Sequence, residues 1–97
     1  MKHVEDIQKK IAAQLPFLQE KFYVKEIGVF GSVARGDETE KSDIDILVAF
    51  SMPIGFFDFI RLEDFLSNLL GEKVDLVCKR ALKLIIKDDI LKEVIYV

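Results

Sequence analysis

Cysteine occurs once in these 97 residues and histidine once, and each scarcity removes a class of site. Cys78 has no partner for an internal disulfide, and is most simply a small core residue. His3 lies near a terminus with no second histidine and no cysteine beside it, so zinc has no support. Long apolar runs are missing too. Nothing approaches the roughly 20 residues of a membrane span, and the longest candidates are broken by Asp58, Arg61 and Asp64. The first ten residues lack the apolar core of a secretory signal, which makes cytoplasmic residence the expectation. Positive charge is not in excess. Fourteen Lys and Arg against 17 Asp and Glu leave a formal net charge of -3, which disfavours sequence-independent binding to a nucleic-acid backbone. A small anion held by local groups is still allowed. No repeat or low-complexity segment appears.

What is present is a rich apolar content, 51% of residues, beside 32% charged ones. This length fits one domain, expected to span 1–97, since domains commonly run about 100–150 residues. Eight Phe residues exceed what a small core obviously needs, so part of the apolar surface is available for an interface.

Val4, Ile7, Ile11 and Leu15 recur at helical spacing, and Pro16 is expected to end that helix or restart it as a short second turn. Val24–Phe30 reads as a strand ending at Gly31-Ser32, where Ser32 is placed to cap a brief helix that Gly36 closes. A polar loop follows, then a second strand from Asp43 to Phe50. Alternation puts Ile44, Ile46, Val48 and Phe50 on one face and Asp43, Asp45, Leu47 and Ala49 on the other. After Pro53 and Gly55, the spacing of Phe59, Leu62, Leu66 and Leu69 predicts a long amphipathic helix stopped by Gly71. Val74–Cys78 reads as a third strand. A helix carrying Leu82, Ile85, Ile86 and Ile90 and a closing strand at Val94–Val97 complete the chain. The expected class is α/β of the α+β type, a small mixed sheet of about four strands with helices mainly on one face.

Two features carry chemistry. Gly31-Ser32 after a strand lets backbone approach a ligand closely, and free N–H groups at a helix start favour phosphate. Taken alone, the dipeptide is more often an ordinary capped turn. Asp43 and Asp45 are harder to explain structurally, because Asp is depleted in strands and two at i and i+2 face the same way, about 7 Å apart, with charges that repel. A magnesium ion between them relieves that repulsion; a polar strand end beside a loop is the plainer alternative. Asp75 repeats the anomaly among Val74, Leu76 and Val77. It reads either as a third carboxylate able to take a proton from a hydroxyl or as a solvent-facing edge residue. Arg35 is placed for a phosphate contact, although one exposed arginine is commonly just solvated. Lys79, Arg80, Lys83 and Lys87 read best as a solvated helix face. Phe56, Phe57 and Phe59 read as core before docking patch.

Gly31-Ser32, a ten-residue gap, Asp43-x-Asp45 and a later Asp75 resemble the signature of the polymerase-beta-like nucleotidyltransferases. The stretch ARGDETEKSDIDILV is similar to their minimal branch, MNT, and the likeness spans nearly the whole chain. The resemblance implies a nucleotidyltransferase fold and transfer of a nucleoside monophosphate, with ATP as the expected donor, to an acceptor hydroxyl. It assigns Gly31, Ser32 and Arg35 to the nucleotide, Asp43, Asp45 and Asp75 to catalysis and to Mg2+, expected as two ions. It also implies pairing in a hetero-oligomer with a helical HEPN protein, the MNT chain being the antitoxin that adenylylates its partner. Larger members add a second domain over the cleft; here a partner's surface is expected to serve. Two other readings stay open: an antitoxin that binds nucleotide but neutralises its partner by occlusion, and a phosphoacceptor signalling domain, against which the Gly-Ser turn argues.

Overall fold

The computed structural model describes residues 3–37, 39, 41–85 and 88–97. Helix α1 (Val4–Ala13) buries Ile7 and Ile11, one turn apart on its apolar stripe. Pro16 does more than restart a turn. It sits in the first turn of a separate eight-residue helix, α2 (Leu15–Phe22), where its missing N–H leaves no bond unmade. Strand β1 (Val24–Phe30) leads into the short α3 (Gly31–Arg35), and β2 (Ile44–Phe50) returns antiparallel to β1. The long helix α4 (Phe56–Leu70) buries Leu62, Leu66 and Leu70 at intervals of four, and Gly71 ends it in the left-handed conformation. It carries the chain over to β3 (Val74–Cys78), which lies parallel to β2.

The C-terminal region departs from the single helix expected over Leu82–Ile90. Two helices, α5 (Lys79–Ile85) and α6 (Asp88–Glu93), occupy it; Ile86 and Lys87 lie outside the described residues. Strand β4 is confined to Ile95–Tyr96 and pairs with β1 at Val29 and Gly28. The sheet order is β3-β2-β1-β4, mixed and four-stranded.

Its two faces are unequal. Ile44, Ile46, Val48, Val74 and Leu76 join Ile11, Leu18, Leu62 and Leu66 in the main core beneath α1, α2 and α4. On the other face a smaller cluster of Phe30, Leu47 and Leu82 is flanked by Val77, Leu91 and Val94. Helices therefore pack mainly on one face, leaving one end of the other face to polar side chains. The phenylalanines divide accordingly: Phe22 and Phe30 are buried, Phe59 and Phe65 pack against the core edge, but Phe56 and Phe57 are 72% and 75% exposed. The core role expected for those two fails, because they occupy the first turn of α4, ahead of its first fully buried residue, Leu62. No described helix is long and apolar enough to cross a membrane.

Candidate active site

Phe30, the last residue of β1, is the register partner of Asp45 in β2. The chain must turn out of the sheet directly beside that carboxylate. It does so at Gly31, with φ +74°, a conformation that L side chains rarely adopt. Space imposes the same requirement independently, since a Cβ at Gly31 would collide with Asp45 Oδ2. Ser32 does not cap α3 as expected. Phe30 holds the N-cap position and supplies no side-chain bond, so Ser32 falls inside the helix. Among the described residues nothing hydrogen-bonds the Ser32 hydroxyl; its carbonyl accepts the Asp37 N–H at 3.0 Å and helps close the helix at Gly36.

Asp45 and Asp75 are register partners on the parallel strands β2 and β3. Their neighbours Ile44, Ile46, Val74 and Leu76 all point into the main core, so both carboxylates project from the opposite face, beside Gly31. The register is fixed just upstream, where the Ile44 N–H donates to the Lys73 carbonyl at 3.0 Å. Asp43, immediately before β2, is half-buried and lies 3.8 Å from the exposed Lys73 ammonium. Burial raises the Asp45 pKa above the ordinary carboxylate value, the negative charges of Asp75 and Asp43 raise it further, and Arg35 opposes them only weakly.

Three carboxylates thus crowd one end of the sheet with little cationic compensation. That is the environment a hard divalent cation fits, because it takes carboxylate oxygens and neutralises their mutual repulsion. The three do not form a finished cage: among the described residues no set of three His, Cys, Asp or Glu is grouped to hold a metal alone.

Arg35 is not simply solvated. Its guanidinium bridges Asp37 and Glu93, each at 3.2 Å, and tethers α3 to α6; the bond and charge of Asp37, with those of Glu93 behind them, raise its pKa. Lys79 likewise leaves the solvated run expected of it, reaching Glu26 at 3.3 Å and lying 5.1 Å from the Tyr96 ring centre. Sequence reasoning missed Glu63 and Ser67 of α4, whose side chains accept from β3 N–H groups. Their only signal is polarity at i and i+4 bordering the Leu62, Leu66, Leu70 stripe.

A mixed sheet with a strand-to-helix turn at one end and acidic register partners on adjacent strands is the arrangement expected of a nucleotidyltransferase. Residues 11–97 match the nucleotidyltransferase domain model, and the chain belongs to that family. It is 48% identical over 94 residues to the protein adenylyltransferase MntA of Thermococcus cleftensis, covering 97% of this chain and 95% of the relative. A solved structure of a candidate minimal nucleotidyltransferase superposes with a TM-score of 0.77 at 37% identity, over 96% of this chain and 94% of that one. A chain from the complex of a tri-AMPylated Shewanella oneidensis HEPN toxin with its MNT antitoxin matches at a TM-score of 0.54 and 25% identity, over 77% and 57% of the two chains.

Proposed function

We propose that this chain transfers AMP from ATP, with Mg2+, to a hydroxyl on a HEPN-family toxin and so neutralises it as an antitoxin. The observation that carries the reading is the placement of Asp45 and Asp75 side by side on β2 and β3, next to a glycine turn where an added Cβ would collide with Asp45. The adenylyltransferase relative and the AMPylated toxin complex support AMP as the group moved and a HEPN protein as its acceptor. The unit spans 1–97 and works in the cytoplasm as part of a hetero-oligomer, the partner's surface completing the cleft.

In this mechanism the Gly31 and Ser32 N–H groups and the Ser32 hydroxyl hold the outer phosphates. Arg35, paired here with Asp37 and Glu93, would contact a phosphate by exchanging one of those carboxylates for a phosphate oxygen. Asp43 and Asp45, with Asp75, hold the magnesium. When bound, that magnesium supplies charge neutralisation for the phosphates and for the entering and leaving oxygens. Asp75, the most exposed of the three carboxylates, accepts the proton of the acceptor hydroxyl. The acceptor oxygen forms its bond to the α-phosphorus as the bond to the bridging oxygen breaks, and pyrophosphate leaves with that electron pair. The protein's share is positioning and electrostatics.

The test incubates α-labelled ATP, magnesium and the HEPN partner with the wild-type chain and with Asp43→Asn and Asp45→Asn. Label on the partner, lost in both variants, supports the reading. Full neutralisation of the toxin without label would replace it with occlusion.

A further inference from the structure

Strand β3 is a sheet edge, with β2 on one side and, among the described residues, no strand on the other. Asp75 therefore sits where a strand is held least, yet its geometry against Asp45 has to be kept. Two side chains of α4 close the gap. The Val74 N–H donates to Ser67 Oγ at 3.1 Å, and the Leu76 N–H donates to Glu63 Oε2 at 3.0 Å. These bonds flank Asp75 on both sides along the outward edge, while its own register with Asp45 binds the inward one. The Glu63 contact is charge-assisted and part-buried, and so stronger than a neutral bond. Glu63 and Ser67 are one helical turn apart, on a helix held to the core by Leu62, Leu66 and Leu70.

We infer that Glu63 and Ser67 are positioning residues for nucleotidyl transfer, clamping β3 so that the Asp75 carboxylate stays aligned with Asp45 and the acceptor. This rests on the reading of Asp75 given above. A displacement of about 1 Å at a reacting group lowers rate by up to about a hundredfold without altering how substrate binds.

The experiment measures AMP transfer to the partner protein by Glu63→Ala, Glu63→Gln, Ser67→Ala and Asp75→Asn, with amide hydrogen exchange at Leu76. Glu63→Ala is expected to lower kcat about tenfold or more, with KM for ATP within about twofold, and to speed exchange at Leu76. Glu63→Gln keeps an accepting oxygen and is expected to restore most of the rate; Ser67→Ala falls between. If Asp75→Asn is inactive while Glu63→Ala keeps its kcat, the clamp is overturned and the site reading survives. If Asp75→Asn is fully active, the reading of Asp75 fails and the clamp fails with it. Equal losses in Glu63→Ala and Glu63→Gln would also overturn the clamp.

Discussion

Gly31 and the Asp45 carboxylate adjoin so closely that no methyl group fits between them. Gly31→Ala should therefore suffer twice, from a positive φ and from a displaced Asp45. A stability loss of about 1 kcal/mol or more, seen in urea unfolding, should accompany loss of AMP transfer on the order of a hundredfold. Gly36→Ala is the control. It has φ +78° but open space around the added Cβ, so it should lose less stability than Gly31→Ala and keep its activity.

Asp45 carries a linked pH signature. Its pKa is raised by burial and then by Asp75 and Asp43, so the contribution of this group to stability is fully present below its unfolded-state pKa. That contribution is lost as pH rises through the higher folded-state value. Without metal, Asp45→Asn should melt above wild type at neutral pH, with the gap closing as pH falls below the ordinary carboxylate range. Added magnesium should raise the wild-type Tm at pH 7 and leave Asp45→Asn nearly unmoved. A variant that melts below wild type in metal-free buffer would contradict this.

Arg35 and the aspartates should separate in activity assays. Asp43→Asn and Asp45→Asn remove charge from the centre of the site, and a loss beyond about a hundredfold is expected in each. Arg35→Ala breaks bridges to Asp37 and Glu93 that lie in solvent, where water screens the attraction and each bridge contributes little. Its transfer rate should fall by less than either aspartate variant.

Apolar residues of α4 should divide by position. Leu66 is fully buried, and Leu66→Ala should cost about 2–5 kcal/mol in chemical denaturation. Phe56→Ser and Phe57→Ser change side chains that are mostly in water, and each should stay within about 0.5 kcal/mol of wild type.

Much of this architecture was legible in residue order. Alternation in β2 assigned Ile44, Ile46 and Val48 to the core, and the four-residue rhythm of α4 assigned Leu62 and Leu66. Gly36 and Gly71 marked the helix ends, both left-handed as capping requires. Asp75, read either as a third carboxylate or as a solvent-facing edge residue, is exposed on the edge strand β3 and is also the register partner of Asp45. Less local facts were not legible. The bond from Glu63 to Leu76 spans 13 residues and the bridge from Arg35 to Glu93 spans 58, so neither leaves a periodic trace. Ser32 misled because a hydroxyl at a helix start usually caps, whereas here the strand runs straight into α3 and Phe30 takes that position. Phe56 and Phe57 misled because an aromatic cluster at helical spacing reads as an inward face, whereas these two stand exposed in the first turn of α4, ahead of the buried Leu62.

The hydrogen bonds from α4 to β3 also restrict how another protein can join this one. An edge strand ordinarily offers its outward N–H groups to any extended segment that comes alongside. At Val74 and Leu76 those donors are already taken by Ser67 and Glu63. A binding partner cannot lengthen the sheet across that stretch of β3, and a stray unfolded chain cannot template on it either.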